Sequence, residues 1–182
     1  MARSIFRSTI LAASLFFAPV TSFAQEVFGT LEASLDGAAR SWFLTVKDAD
    51  SQSFALSIPS AGLQAFSLWG VTDAQNLVEE KQSLLVSFDV MTVGGQLMPL
   101  NASVMYLSDG WRSGWLADEE DTVNFSLTAL KNDDSGVLVE GRFEATAGYS
   151  EPLSSGESDR SRTMQINGSF KAVLPPSILQ KN

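Results

Sequence analysis

Three stretches of the chain carry one alternation. VFGTLEASLDG at 27–37, VEGRFEATAGY at 139–149 and INGSFKAVLPP at 166–176 each run glycine, polar residue, Leu or Phe, charged residue, alanine. Residues two apart in a strand share a face. Val137, Val139, Gly141, Phe143, Ala145 and Ala147 therefore lie on one side, and Leu138, Glu140, Arg142, Glu144 and Thr146 on the other. The other two copies divide in the same way, into one buried face and one wet face. A helix cannot hold this period on one side. Glycine beside Phe weakens a strand unless a ring from a neighbouring strand covers the gap. At least two of the three copies are thus expected to be neighbours, with Glu144 and Lys171 as a wet-face pair. Their spacing is too irregular for a solenoid.

Further strands are expected over residues 42–47, 54–58, 64–70, 84–93, 97–107 and 123–130, the last alternating Val123, Phe125, Leu127 and Ala129 with Asn124, Ser126 and Thr128. Gly94-Gly95 reads as a tight hairpin turn, and residues 132–136 as a slightly longer one. Only residues 72–82 could carry a helix. The expected fold class is all-β: an antiparallel β-sandwich or closed β-barrel of about nine strands, with at most one short helix. If successive strands are antiparallel, the first, third, fifth and seventh connections (DGAAR, PSAG, GG, NDDSG) lie at one trimmed end. DADSQ, residues 71–82, residues 108–121 and residues 148–162 would then elaborate the other, and binding usually lives on such loops.

Residues 1–24 read as a secretory leader: Arg3 and Arg7, the apolar run STILAASLFFAPV, then small residues at Ser22 and Ala24. Cleavage after Ala24 leaves one β-domain, 25–182, and places it in the periplasm or outside a bacterial cell. No later stretch approaches ~20 uninterrupted apolar residues, so no transmembrane helix is expected. The chain has no cysteine, which suits a periplasm better than an animal secretory route. Loss of the leader removes two arginines and no acid, taking the net charge from −9 to −11. A surface this acidic repels phosphate backbones, so no nucleic-acid partner is expected.

Histidine is absent as well. That removes the usual neutral-pH base, the Ser-His-Asp and Cys-His arrangements, and the common zinc, copper and haem ligands. No phosphate loop or nucleophile elbow is present. The chain is read as non-catalytic, with no catalytic residues, no metal and no cofactor. Asp48, Asp50 and Gln52 have the spacing that opens a calcium loop but lack its glycine and distal glutamate, and Asp118–Asp121 are a denser acidic turn. The most unusual stretch is SDGWRSGWLADEED, residues 108–121. Trp and Arg are common binding anchors. The candidate binding residues are Trp69, Trp111, Arg112, Trp115 and Tyr149, gathered at the long-loop rim, while Trp42 is expected in the core at the opposite end. The expected partner is a protein or a saccharide of the cell envelope. Other readings are a calyx-like carrier of a small apolar ligand, its cavity lined by the Gly and Ala positions, a small outer-membrane β-barrel, and a carboxylate-type hydrolase. The segment 150–162 is expected to be flexible.

Overall fold

The computed structural model describes residues 25–77, 80–118 and 122–181. The leader expected over 1–24 lies outside the described residues, as do Glu119, Glu120 and Asp121 of the acidic turn. Eleven strands follow in order: β1 (Glu26–Leu35), β2 (Ala38–Val46), β3 (Phe54–Ile58), β4 (Leu63–Val71), β5 (Ser83–Val93), β6 (Gln96–Trp111), β7 (Gly114–Ala117), β8 (Val123–Asp133), β9 (Gly136–Ser150), β10 (Asp159–Leu174) and β11 (Leu179–Lys181). Short 3-10 turns occupy Pro59–Ala61, Leu153–Ser155 and Pro176–Ile178. Among the described residues no α-helix is present, and those of 72–82 make turns and bends.

Eight strands close a ring in the order β4-β2-β1-β10-β9-β7-β6-β5, with β5 returning to β4. The fold is a closed barrel, and every pairing in the ring is antiparallel. The two strands beyond the expected nine are β7, within the stretch 108–121 read as a loop, and β11, near the C-terminus. Two staves of the barrel are interrupted. β2 and β3 both pair with β4, separated by the excursion 47–53, and β7 and β8 both pair with β9, separated by 118–122. β11 alone runs parallel to its neighbour, β3.

These interruptions change which connections share an end. Residues 47–53 leave a stave and rejoin it without reversing direction. The turn at Asp36-Gly37 therefore lies at the same end as residues 72–82, the turn at 112–113 and residues 151–158. That end is called the mouth. The turns at 59–62, 94–95 and 134–135 lie at the base. Trp42 is core, fully buried as expected, but it sits at the mouth, where its Nε1 donates to the Gln82 carbonyl at 2.6 Å. The residues read as a DGAAR loop belong mostly to β2, which starts at Ala38.

The three repeated stretches are side by side, in the order β1-β10-β9. Gly168 faces Phe143 and Phe170 faces Gly141, so each ring lies over the other strand's glycine. The glycines of β9 and β10 are thus covered by rings on the inner face. The wet-face partner of Lys171 is Glu140, directly opposite it at 2.6 Å, while Glu144 faces Asn167. The expected pair was offset by four residues. Gly94 and Gly95 both take positive φ (59° and 83°) and close β5 on β6 in two residues, as the Gly-Gly pair implied.

Inward side chains fill the barrel. Phe88 stacks on Phe66 (centroids 5.0 Å apart) and Phe170 (5.4 Å) and leans on Phe125 (4.6 Å), so rings from β4, β5, β8 and β10 meet at its centre. The outward positions of β1, β9 and β10 include Glu32, Glu140, Arg142, Glu144, Asn167 and Lys171. A second apolar cluster lies on the outer wall near the mouth. Trp69, Val71, Leu107 and Leu116 pack there under Leu153, with Phe43, Leu85 and Met105 at its edge. Leu153 is 2% exposed, and Ser150 Oγ donates to the Glu157 carbonyl at 2.6 Å. The segment expected to be flexible is tied to the wall at both points. No helix among the described residues is long and apolar enough to cross a membrane.

Candidate functional site at the mouth of the barrel

Register builds the site. Tyr106 on β6 faces Trp115 on β7, which faces Tyr149 on β9. Residues directly opposite in antiparallel strands share a face. The three rings therefore form one row on the inner side of the mouth. Trp115 meets Tyr149 edge-on, at 5.4 Å and 72°. Trp42 lies beneath, 6.4 Å from Tyr106. Tyr106 is buried, whereas Trp115 and Tyr149 are half-exposed. A guanidinium brackets each end of the row. Arg162 lies 3.6 Å over the Tyr149 ring, and Arg40 donates to the Tyr106 hydroxyl at 3.5 Å and to Gln82 Oε1 at 3.2 Å.

Beside Tyr149 and Arg162 an open depression of about 450 Å³ is lined by Glu151, Ser155, Glu157, Ser158 and Asp159. Tyr149 donates its hydroxyl proton to Glu151 at 2.7 Å. Asp159 accepts from the Ser161 hydroxyl and amide at 2.6 and 2.9 Å. These two bonds, helped by the Arg162 charge, hold its carboxyl below the usual value of 3.8. A general acid needs a shift in the opposite direction. The site thus offers ring faces and edges, guanidinium and hydroxyl donors, and carboxylate acceptors.

The five residues anticipated from sequence all reach the mouth, but strand alternation divides them. Trp115 and Tyr149 face inward. Trp69 and Trp111 face outward, with ring centroids 5.9 Å apart, Trp69 buried and Trp111 42% exposed. Arg112 is exposed at the turn that follows, 3.7 Å from Asp109. The Asp109 carboxyl is held below its ordinary value chiefly by the Lys81 ammonium, which hydrogen-bonds it at 2.6 Å, with Arg112 adding less. Trp111 ends a strand and Trp115 belongs to the next, so residues 108–117 form a hairpin, and an extended loop is absent there. Tyr106, Arg40 and Arg162 were missed: Tyr106 reads as an ordinary strand position, and the two arginines were assigned to the connections DGAAR and 148–162, whereas both lie in strands. The signal for Tyr106 was its alternation with Val104, which turns both inward.

Other depressions carry less chemistry. A shallow saddle of about 700 Å³ on the outer wall, over β2, β1, β10 and β9, has Glu32, Arg142, Glu144 and Asn167 but no ring on its outward side. Lys47 and Asp50 exchange backbone hydrogen bonds at 2.9 and 3.0 Å, closing residues 47–50 into a tight turn. Among the described residues no three metal-ligating side chains gather. No protein-family model, no curated protein and no solved structure matches the chain.

Proposed function

We propose that this protein is an exported, non-catalytic module that binds a neutral saccharide of the bacterial cell envelope at the mouth of its barrel. The in-register row Tyr106-Trp115-Tyr149, set beside an acid- and hydroxyl-lined depression, carries this reading. Aromatic rings take up the apolar C–H faces of sugars, while carboxylates and guanidinium groups bond their hydroxyls. The carboxylates of Glu151, Glu157 and Asp159 disfavour an anionic ligand by like-charge repulsion. Export follows from the leader and cleavage near Ala24. The charged outward faces of β1, β9 and β10 weigh against a lipid-facing barrel, whose outer band is apolar. The rings packed through the centre weigh against a calyx.

One observation favours a protein partner as a second reading. Trp111, exposed and braced on buried Trp69 with Arg112 beside it, has the make-up of an interface anchor.

Titration with neutral and acidic tetrasaccharides, read by tryptophan fluorescence, tests the proposal. Neutral sugars are expected to bind saturably. Trp115→Ala should weaken them about tenfold or more, the scale of one lost stacking contact. Trp111→Ala should leave affinity unchanged. Preference for acidic sugars, or sensitivity to Trp111→Ala alone, would count against it.

A further inference from the structure

At the base of the barrel, β3 and β4 on one side and the β8–β9 turn on the other leave a hollow of about 270 Å³. β11 supplies a third wall through Leu179 and Gln180. The floor is apolar: Ala55, Phe66 and Val137, all nearly inaccessible. Because Phe66 stacks on Phe88, the hollow opens on the end of the ring stack that fills the core. Asp133 apart, the rim is uncharged and polar, with Ser57, Gln64 and Asn132 presenting a hydroxyl and two amides. Among the residues whose side chains are described no lysine or arginine lines it. The one rim carboxylate, Asp133, already accepts from the Ser135 amide at 2.8 Å and the Ser135 hydroxyl at 2.5 Å.

From this geometry we infer that the hollow is a binding site for a small uncharged molecule with a flat apolar body and one hydrogen-bonding end. The body would lie against the apolar floor and the side chain of Leu179, and the polar end would meet the amides of Gln64 or Asn132. The volume lies just under the ~300–1,000 Å³ usual for sites that enclose drug-sized ligands, which limits the occupant to one or two fused or linked rings. A charged body is disfavoured, since no countercharge waits at the floor and burying an unpaired ion is costly. The site is at the opposite end of the barrel from the saccharide site and stands independently of it.

2-Naphthol, a neutral fluorophore with two flat fused rings and one hydroxyl, is the probe. The full chain is expected to bind one equivalent saturably, with methyl NMR shifts centred on Ala55, Val137 and Leu179. Ser57→Phe and Gln64→Phe each fill the hollow from its rim, and each should weaken the probe about tenfold or more. Trp115→Ala should not change it. Absence of saturable binding would overturn the inference. So would undiminished binding in whichever of the two rim variants keeps the parent melting temperature, or shifts centred on the mouth.

Discussion

Replacing Phe88 by alanine should destabilise the fold by about 3–5 kcal/mol, the usual cost of deleting a buried aromatic ring. Phe88 is 1% exposed and touches Phe66 from the adjacent strand, Phe125 from β8 and Phe170 from β10 on the far wall. The loss therefore combines the ring's transfer free energy with a cavity at the point where opposite walls meet. Those walls are held apart by their own hydrogen-bonded ladders, so they cannot collapse far into the gap. Phe88→Leu keeps most of the volume and should cost less than half as much. Urea unfolding followed by far-ultraviolet dichroism measures both. Equal and small losses in the two variants would mean that the rings do not pack across the barrel.

Gly168→Ala is the second large effect, although it adds a single methyl group. A Cβ at this position would stand 2.5 Å from the Glu32 carbonyl oxygen, 2.6 Å from Phe143 Cζ and 2.7 Å from Ala33 Cβ. Two of these neighbours are fixed by the β1 ladder, so relief requires moving a strand. A cost of about 1–3 kcal/mol or more is expected, the range for overpacking a filled core. Trimming the ring by adding Phe143→Leu should recover little, because the clash with the carbonyl remains. Thermal unfolding of the single and double variants reads the difference, and full recovery in the double variant would place the crowding in the ring alone.

The same glycine shows how far the sequence could be read. Period two along the repeated stretches was enough to assign their inner faces and to infer that rings cover the glycines, and the three strands do lie together. Alternation is a local property, written into every second residue. The way strands are joined is not local. Nothing in DADSQ distinguishes a loop that reverses the chain from an excursion that returns to the same stave. That ambiguity sent the first turn, and Trp42 with it, to the wrong end. Residues 72–82 have a helix-tolerant composition, yet they are anchored by tertiary bonds: the Thr45 hydroxyl donates to the Asn76 carbonyl at 2.9 Å, and Trp42 to that of Gln82. Such bonds override weak propensity.

The candidate site was legible as a list of aromatic residues and not as a surface. Trp111 and Trp115 are four apart in sequence, but the turn at 112–113 and the Gly110 backbone (φ 63°) put them on opposite sides of the wall. Only the pairing of β7 between β6 and β9 brings Tyr106 and Tyr149 to the two sides of Trp115. Register of this kind comes from hairpin lengths and bulges far from the residues concerned.

Everything at the mouth and the base depends on the first and last strands of the ring being paired in one register. The chain has no cysteine of its own, which makes this directly testable. Thr30 and Lys171 are opposite one another on the outer face of β1 and β10, whereas Asn167 faces Ser34, four residues away. Opposed Cα atoms lie about 4.5–5.5 Å apart, inside the range a disulfide spans, while four residues along a strand add roughly 13 Å. Under mild oxidation the pair Thr30→Cys with Lys171→Cys should cross-link nearly completely, and Thr30→Cys with Asn167→Cys should not. A failure of the first pair, or ready bridging of the second, would contradict the closed barrel described above.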